Sequence, residues 1–100
     1  KLVVILALKK DKDAAKILPY ITSIADKIIF TRFTKETDMG YQLCTDPEML
    51  ARLVQIKETS VDCDPIHAFK DVVAHQEKET AVLVTGSLYL VGEIKKFLMG

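Results

Sequence analysis

Four short apolar runs, each followed by a stretch with helix signals, constrain what this chain can fold into. They span Leu2 to Leu8, Lys27 to Thr31, Ser60 to Cys63 and Ala81 to Thr85, and they are rich in β-branched residues. Val3-Val4-Ile5-Leu6 and Val82-Leu83-Val84 are apolar without alternation, as suits strands covered on both faces. The segments between them have helical spacing. Ala14, Ile17, Leu18, Ile21 and Ile24 form one stripe between Asp13 and Ala25, which Pro19 is expected to kink or split. Asp46-Pro47-Glu48 and Asp64-Pro65 each set a capping aspartate before a first-turn proline. Leu50, Leu53 and Val54 follow the first, and Ile66, Ala68, Phe69, Val72 and Val73 the second. A last helix is expected from about Leu88 to Met99, burying Leu90 or Val91, Ile94 and Leu98, with Lys95 and Lys96 near its negative end. Strands alternating with helices mean βαβ units with right-handed crossovers, hence a parallel sheet between helical layers. Arg32 to Thr45 breaks the rhythm; it is polar, contains Gly40, and reads as a long loop.

With 100 residues the chain supports one modest core and no second domain. Its 14 basic and 14 acidic side chains cancel, which argues against a nucleic-acid or anionic-membrane partner held by bulk charge. Cys44 and Cys63 lie far apart, without metal-ligand spacing, and read as reduced thiols of a cytoplasmic protein. No apolar run approaches the roughly 20 residues that span a bilayer, and no signal peptide is visible. The chain opens on Lys1, without Met, directly inside a strand, and so reads as a piece of a longer protein.

In open parallel sheets, ligands bind beyond the carboxyl ends of the strands. Four segments lie there: Leu8 to Asp13, Thr31 to Phe33, Asp62 to Asp64, and Thr85 to Ser87. In the last, Gly86 permits a sharp exit from the strand, Ser87 can cap the next helix, and the N–H groups of that helix start suit an anion. A plain strand-to-helix turn with a serine cap explains the same residues. Tyr89 could bring its hydroxyl to this mouth or simply pack. Lys10-Asp11-Lys12-Asp13 offers a cation and carboxylates, although Asp13 as a helix cap and a solvated charge run is the structural reading. Arg32 could clamp a carboxylate or phosphate, or stand exposed. His67 and His75 share a helix face with no nucleophile in view. Neither a nucleophile with an adjacent base, nor a metal cluster, nor a phosphate loop is evident, so no catalytic residue and no metal ligand is assigned.

Several stretches taken in order carry a resemblance. Leu6-Ala7-Leu8 with Asp11-Lys12-Asp13-Ala14, then Ala25 to Thr31, then Val84-Thr85-Gly86-Ser87-Leu88-Tyr89-Leu90-Val91-Gly92-Glu93, resemble the C-terminal domain of folylpolyglutamate synthase and dihydrofolate synthase, a branch of the Mur ligase family. The resemblance implies a Rossmann-like, three-layer α/β domain with a mainly parallel sheet of about four strands over residues 1–100, truncated by one strand of the family sheet. It implies part of an ATP-dependent amide ligase that joins L-glutamate to tetrahydrofolate or dihydropteroate through an acyl phosphate. ATP and Mg²⁺ would bind mainly in a larger N-terminal domain, with none held by this piece, which would be inactive alone. Carried over residue by residue, Gly86, Ser87 and Tyr89 would face the glutamate. Lys12 and Asp13 would face the interdomain cleft, which Arg32, at the end of its strand, could also reach. The family's upstream strand, ending Asp-Gly-Ala-His-Asn, has no counterpart here. Two other readings stand beside this one. A flavodoxin-like binding or regulatory module would use Asp11, Asp13, Asp62 and Asp64 as its acidic cluster. A peptidoglycan-building ligase would share the fold but not the Gly-Ser-Leu-Tyr-Leu-Val-Gly-Glu stretch.

Overall fold

The four strands among the described residues run parallel, and the first, near the middle of the sheet, is the least exposed of them. The computed structural model describes residues 1–33, 44–54, 58–75 and 77–100. In chain order the elements are β1 (Leu2–Leu6), α1 (Ala14–Ile24), β2 (Lys27–Phe30), α2 (Pro47–Arg52), β3 (Glu58–Val61), α3 (Pro65–His75), β4 (Ala81–Thr85) and α4 (Leu88–Leu98). The sheet order is β3-β2-β1-β4. In register, Ile5 lies between Ile29 of β2 and Val84 of β4.

The two-residue period of a strand divides β1 between two cores. Val3, Ile5 and Ala7 join Ile29 under Ala68 and Val72 of α3 and Leu90 and Ile94 of α4. Val4, Leu6 and Leu8 join Ile28 and Phe30 under Leu18 of α1 and Leu50 of α2. The unalternated apolar run is therefore two alternating sets interleaved. Each fully buried Val, Leu or Ile contributes roughly 1.5–3 kcal/mol of transfer free energy, so this strand carries a large share of the core.

Handedness explains why the helices divide as they do. The crossovers from β1 to β2 and β2 to β3 move in one direction and carry α1 and α2 on one face. The return from β3 to β4 moves the other way and carries α3 on the opposite face. The reversal leaves a switch point between β1 and β4, where the chains leaving the two strands part to opposite sides.

Several expectations are corrected in detail. The third strand is Glu58–Val61 rather than Ser60 to Cys63. Its register follows pairing with β2, where Lys27 opposes Glu58 and their side chains form an ion pair at 3.3 Å, rather than its weak apolar content. Helix α1 is continuous across Pro19 instead of split. The ring faces solvent and costs only one backbone donor, which leaves the Ala15 carbonyl on the exposed side, open to water. Leu53, Val73, Ile24 and Leu98, read as stripe residues, are exposed. Of the two options in α4, Leu90 is buried and Val91 is not. Most of the long loop, including Gly40, lies outside the described residues. Its ends are fixed: Phe33 is buried, Cys44 pairs with Lys9 in an isolated antiparallel bridge, and the Thr45 N–H donates to the Leu8 carbonyl at 2.7 Å.

Candidate functional site

The exit from β4 is shaped by Gly86, whose φ of +101° lies in the left-handed region that favours glycine. Space is closed there as well, since a Cβ at this position would run into the Ala7 carbonyl oxygen and the Leu6 side chain. The turn thus lies directly on the end of β1. Ser87 follows with extended backbone and caps α4, its hydroxyl accepting from the Tyr89 N–H at 3.1 Å. Capping fixes the direction in which α4 starts and hence where Tyr89 stands.

Tyr89 stands against Phe33. Their ring centroids are 5.2 Å apart with planes inclined by 37°, and Phe33 is buried in the core beneath α3 and α4. On the other side, the Lys9 ammonium lies 5.9 Å from the Tyr89 ring centroid, within reach of a cation–π attraction. Phe33, Tyr89 and Lys9 so form a wall that runs from the core to the surface.

This wall borders a cavity of about 610 Å³ at the switch point, lined by Lys9 and Lys12 after β1 and by residues Thr85 to Tyr89 with Val91 after β4. The volume suits a small molecule. Two cationic side chains enter the lining and no carboxylate does. Among the described residues neither ammonium has an ion-pair partner, the ion pairs being those of Lys27, His67 and His75. A cavity of this kind favours an anion and repels a bare metal cation.

Of the residues singled out in sequence, the cavity brings together Lys12, Gly86, Ser87 and Tyr89. Asp13 is close in sequence but caps α1, accepting from the Lys16 N–H at 3.3 Å. Arg32 is exposed at the end of β2 and does not enter the lining. Burial raises the Cys44 thiol pKa, against smaller downward effects of a hydrogen bond with the Phe33 backbone and of the Arg32 charge. Lys9 and Thr85 also enter the lining. The signal for Lys9 was its place, just after the most buried strand and beside the point where strand order reverses.

The β3 edge of the sheet has a separate polar group, at the same carboxyl end of the strands. His67 Nδ1 meets Asp62 Oδ2 at 2.5 Å, and this hydrogen bond, with the charge behind it, raises the imidazole pKa. Asp64 caps α3 by accepting from the Ile66 and His67 N–H groups. His75 leans on its own helix, at Asp71. Asp11, Asp13, Asp62 and Asp64 are not gathered into a cation-binding set, and among the described residues no three His, Cys, Asp or Glu side chains are. The regulator reading loses its acidic cluster. No described helix is long and apolar enough to cross a membrane.

Comparison with known proteins agrees with this fold. The family model described as dihydrofolate synthetase, C-terminal domain, matches residues 1–97. The "Probable dihydrofolate synthetase" of Schizosaccharomyces pombe is 28% identical over 97 residues, covering 94% of this chain and 23% of that protein. The fold is similar to part of a bifunctional folylpolyglutamate synthase/dihydrofolate synthase from Yersinia pestis, solved with AMPPNP and a Mn ion. There the TM-score is 0.81 at 18% identity, covering 100% of this chain and 22% of that one. It is also similar to a folylpolyglutamate synthase of Mycobacterium tuberculosis, solved with ADP and AMPPCP. That match has a TM-score of 0.71 at 22% identity, covering 99% of this chain and 23% of that one. The chain therefore spans under a quarter of the length of these relatives.

Proposed function

The chain belongs to the dihydrofolate synthetase C-terminal domain family, and from that premise we propose that it forms the amino-acid-binding wall of an ATP-dependent ligase joining L-glutamate to a pteroate-type acceptor. In this reading residues 1–100 are one domain of a longer cytoplasmic enzyme and are inactive without the larger domain that binds nucleotide. The descriptions of the matched family and of the fission-yeast relative favour dihydropteroate over tetrahydrofolate as acceptor.

One observation carries the proposal: the cavity at the β1/β4 switch point has an anion's chemistry, with two ammonium groups, a capped helix start and no carboxylate in its lining. A glutamate brings two carboxylates, and its amine must stay neutral to attack. The cavity's part is to bind and orient. Gly86 and Ser87 set the helix start that receives a carboxylate, and Tyr89 supplies a rigid face and a hydroxyl. Orientation of this sort accelerates a bimolecular step by converting it to an effectively unimolecular one. Lys12, Asp13 and Arg32 would line the cleft toward the nucleotide domain.

The residues present do not fit a bound nucleotide with its cation. The lining is free of carboxylates, no metal-ligand group occurs among the described residues, and the sequence has no Gly-x-x-x-x-Gly-Lys-Ser/Thr loop. ATP and Mg²⁺ would supply activation of the acceptor carboxylate from the other domain. The test is kinetic. In the full-length enzyme, Ser87→Ala and Tyr89→Ala are expected to raise KM for glutamate by about tenfold or more, a lost hydrogen bond to a charged group being worth roughly 1.5–3 kcal/mol. KM for ATP should stay within about twofold; equal changes in both would overturn the assignment.

A further inference from the structure

Of the two cations that line the cavity, Lys9 is the more firmly placed. Lys9 is half-buried, its backbone is fixed by the bridge to Cys44, and its ammonium is held over Tyr89, which is itself seated on buried Phe33. Ordinary surface lysines lose rotamer entropy when they bind, whereas an ammonium already placed loses less. It has no carboxylate partner among the described residues, since the aromatic face attracts its charge without neutralising it. Helix capping by Ser87 lies in the same cavity, two residues before Tyr89, whose N–H it accepts. The lining thus offers two separate places for negative charge, the helix start and the pair Lys9 and Lys12, and the side chains of Leu88 and Val91 add apolar surface to it.

From this geometry we propose that Lys9 is the residue that makes the site specific for a dicarboxylic amino acid, its ammonium taking the side-chain carboxylate of the incoming substrate. The assignment rests on the ligase reading above. An amino acid with a neutral amide in place of that carboxylate leaves Lys9 without a counter-charge in the cavity. Discrimination then follows from the unmatched charge as much as from the missing bond. Tyr89 has a second duty in this scheme, as the plate on which the ammonium is held.

The test compares glutamate with glutamine in the full-length enzyme, for the wild type, Lys9→Gln and Lys9→Arg. For Lys9→Gln, kcat/KM for glutamate should fall by roughly tenfold or more while that for glutamine holds or rises, so that the ratio of the two collapses. Lys9→Arg, which keeps the charge, should retain most of the ratio. KM for ATP and the thermal midpoint should change little in either variant. If Lys9→Gln leaves the glutamate-to-glutamine ratio intact, or lowers both substrates equally with the thermal midpoint, Lys9 is only a packing residue and the proposal falls. A wild-type enzyme that does not ligate glutamate would instead overturn the ligase reading itself.

Discussion

A single hydrogen atom in place of a side chain at residue 86 lets the sheet and the cavity meet. Gly86 combines a left-handed φ with a contact surface made by the Ala7 carbonyl and the side chains of Leu6 and Leu8. Gly86→Ala therefore has two penalties, backbone strain and overpacking against groups that belong to the buried end of β1. Together they are expected to cost roughly 2–4 kcal/mol, read as a shift in the denaturant midpoint of the domain in its full-length protein. Gly92→Ala, inside α4 with nothing within 4 Å of the added Cβ, is the natural contrast and should stabilise by about 0.5–1 kcal/mol. Sequence pointed to Gly86 through its place between a strand and a serine cap. The closed space beneath it was invisible there, because Ala7 and Leu6 are distant in the chain and meet it only through β1–β4 pairing.

Elements differed in how far their sequences announced them. The caps were plain: Asp13, Asp46 and Ser87 each accept a backbone N–H from the first turn of the helix that follows, and Asp64 does the same for α3. Strands β1 and β4 were plain in position, but β4, read as covered on both faces, is an edge strand with one face open, Leu83 being exposed. β3 was misplaced by two residues because an edge strand has little apolar pattern to read, and its partner sets its register. Stripe ends were overread at Leu53, Val73 and Leu98, where a helix runs past the sheet it covers. The start of α3 has a readable electrostatic signature. His67 is exposed, and its pKa is raised first by the Asp62 hydrogen bond and then by the Asp62 charge. A raised folded-state pKa means that this pair stabilises the fold below the ordinary histidine value of about 6.5, and that the effect is lost as pH rises through the folded value. An NMR titration should find His67 above its ordinary midpoint, with Asp62→Asn bringing it back. No displacement in the variant would show that the pair does not persist in solution.

At the scale of the whole molecule, the site has the same foundation as the fold. The Gly86 turn at its edge has as its floor the end of β1, whose residues from Val4 to Ala7 are fully buried and whose Leu6 carbonyl accepts the Thr31 N–H at 2.9 Å. Such amides exchange with solvent only when the entire domain opens, while the first turn of α4 and the ends of exposed helices open locally. Hydrogen exchange of the full-length protein should therefore place Ile5, Leu6 and Thr31 among the slowest amides, with Leu88 among the fast ones. Fast exchange at Leu6 would mean that the floor opens on its own. A floor tied to global unfolding acts as an anvil: it does not adapt to the molecule pressed against it. Whatever motion admits and releases that molecule has to come from the other side of the cavity.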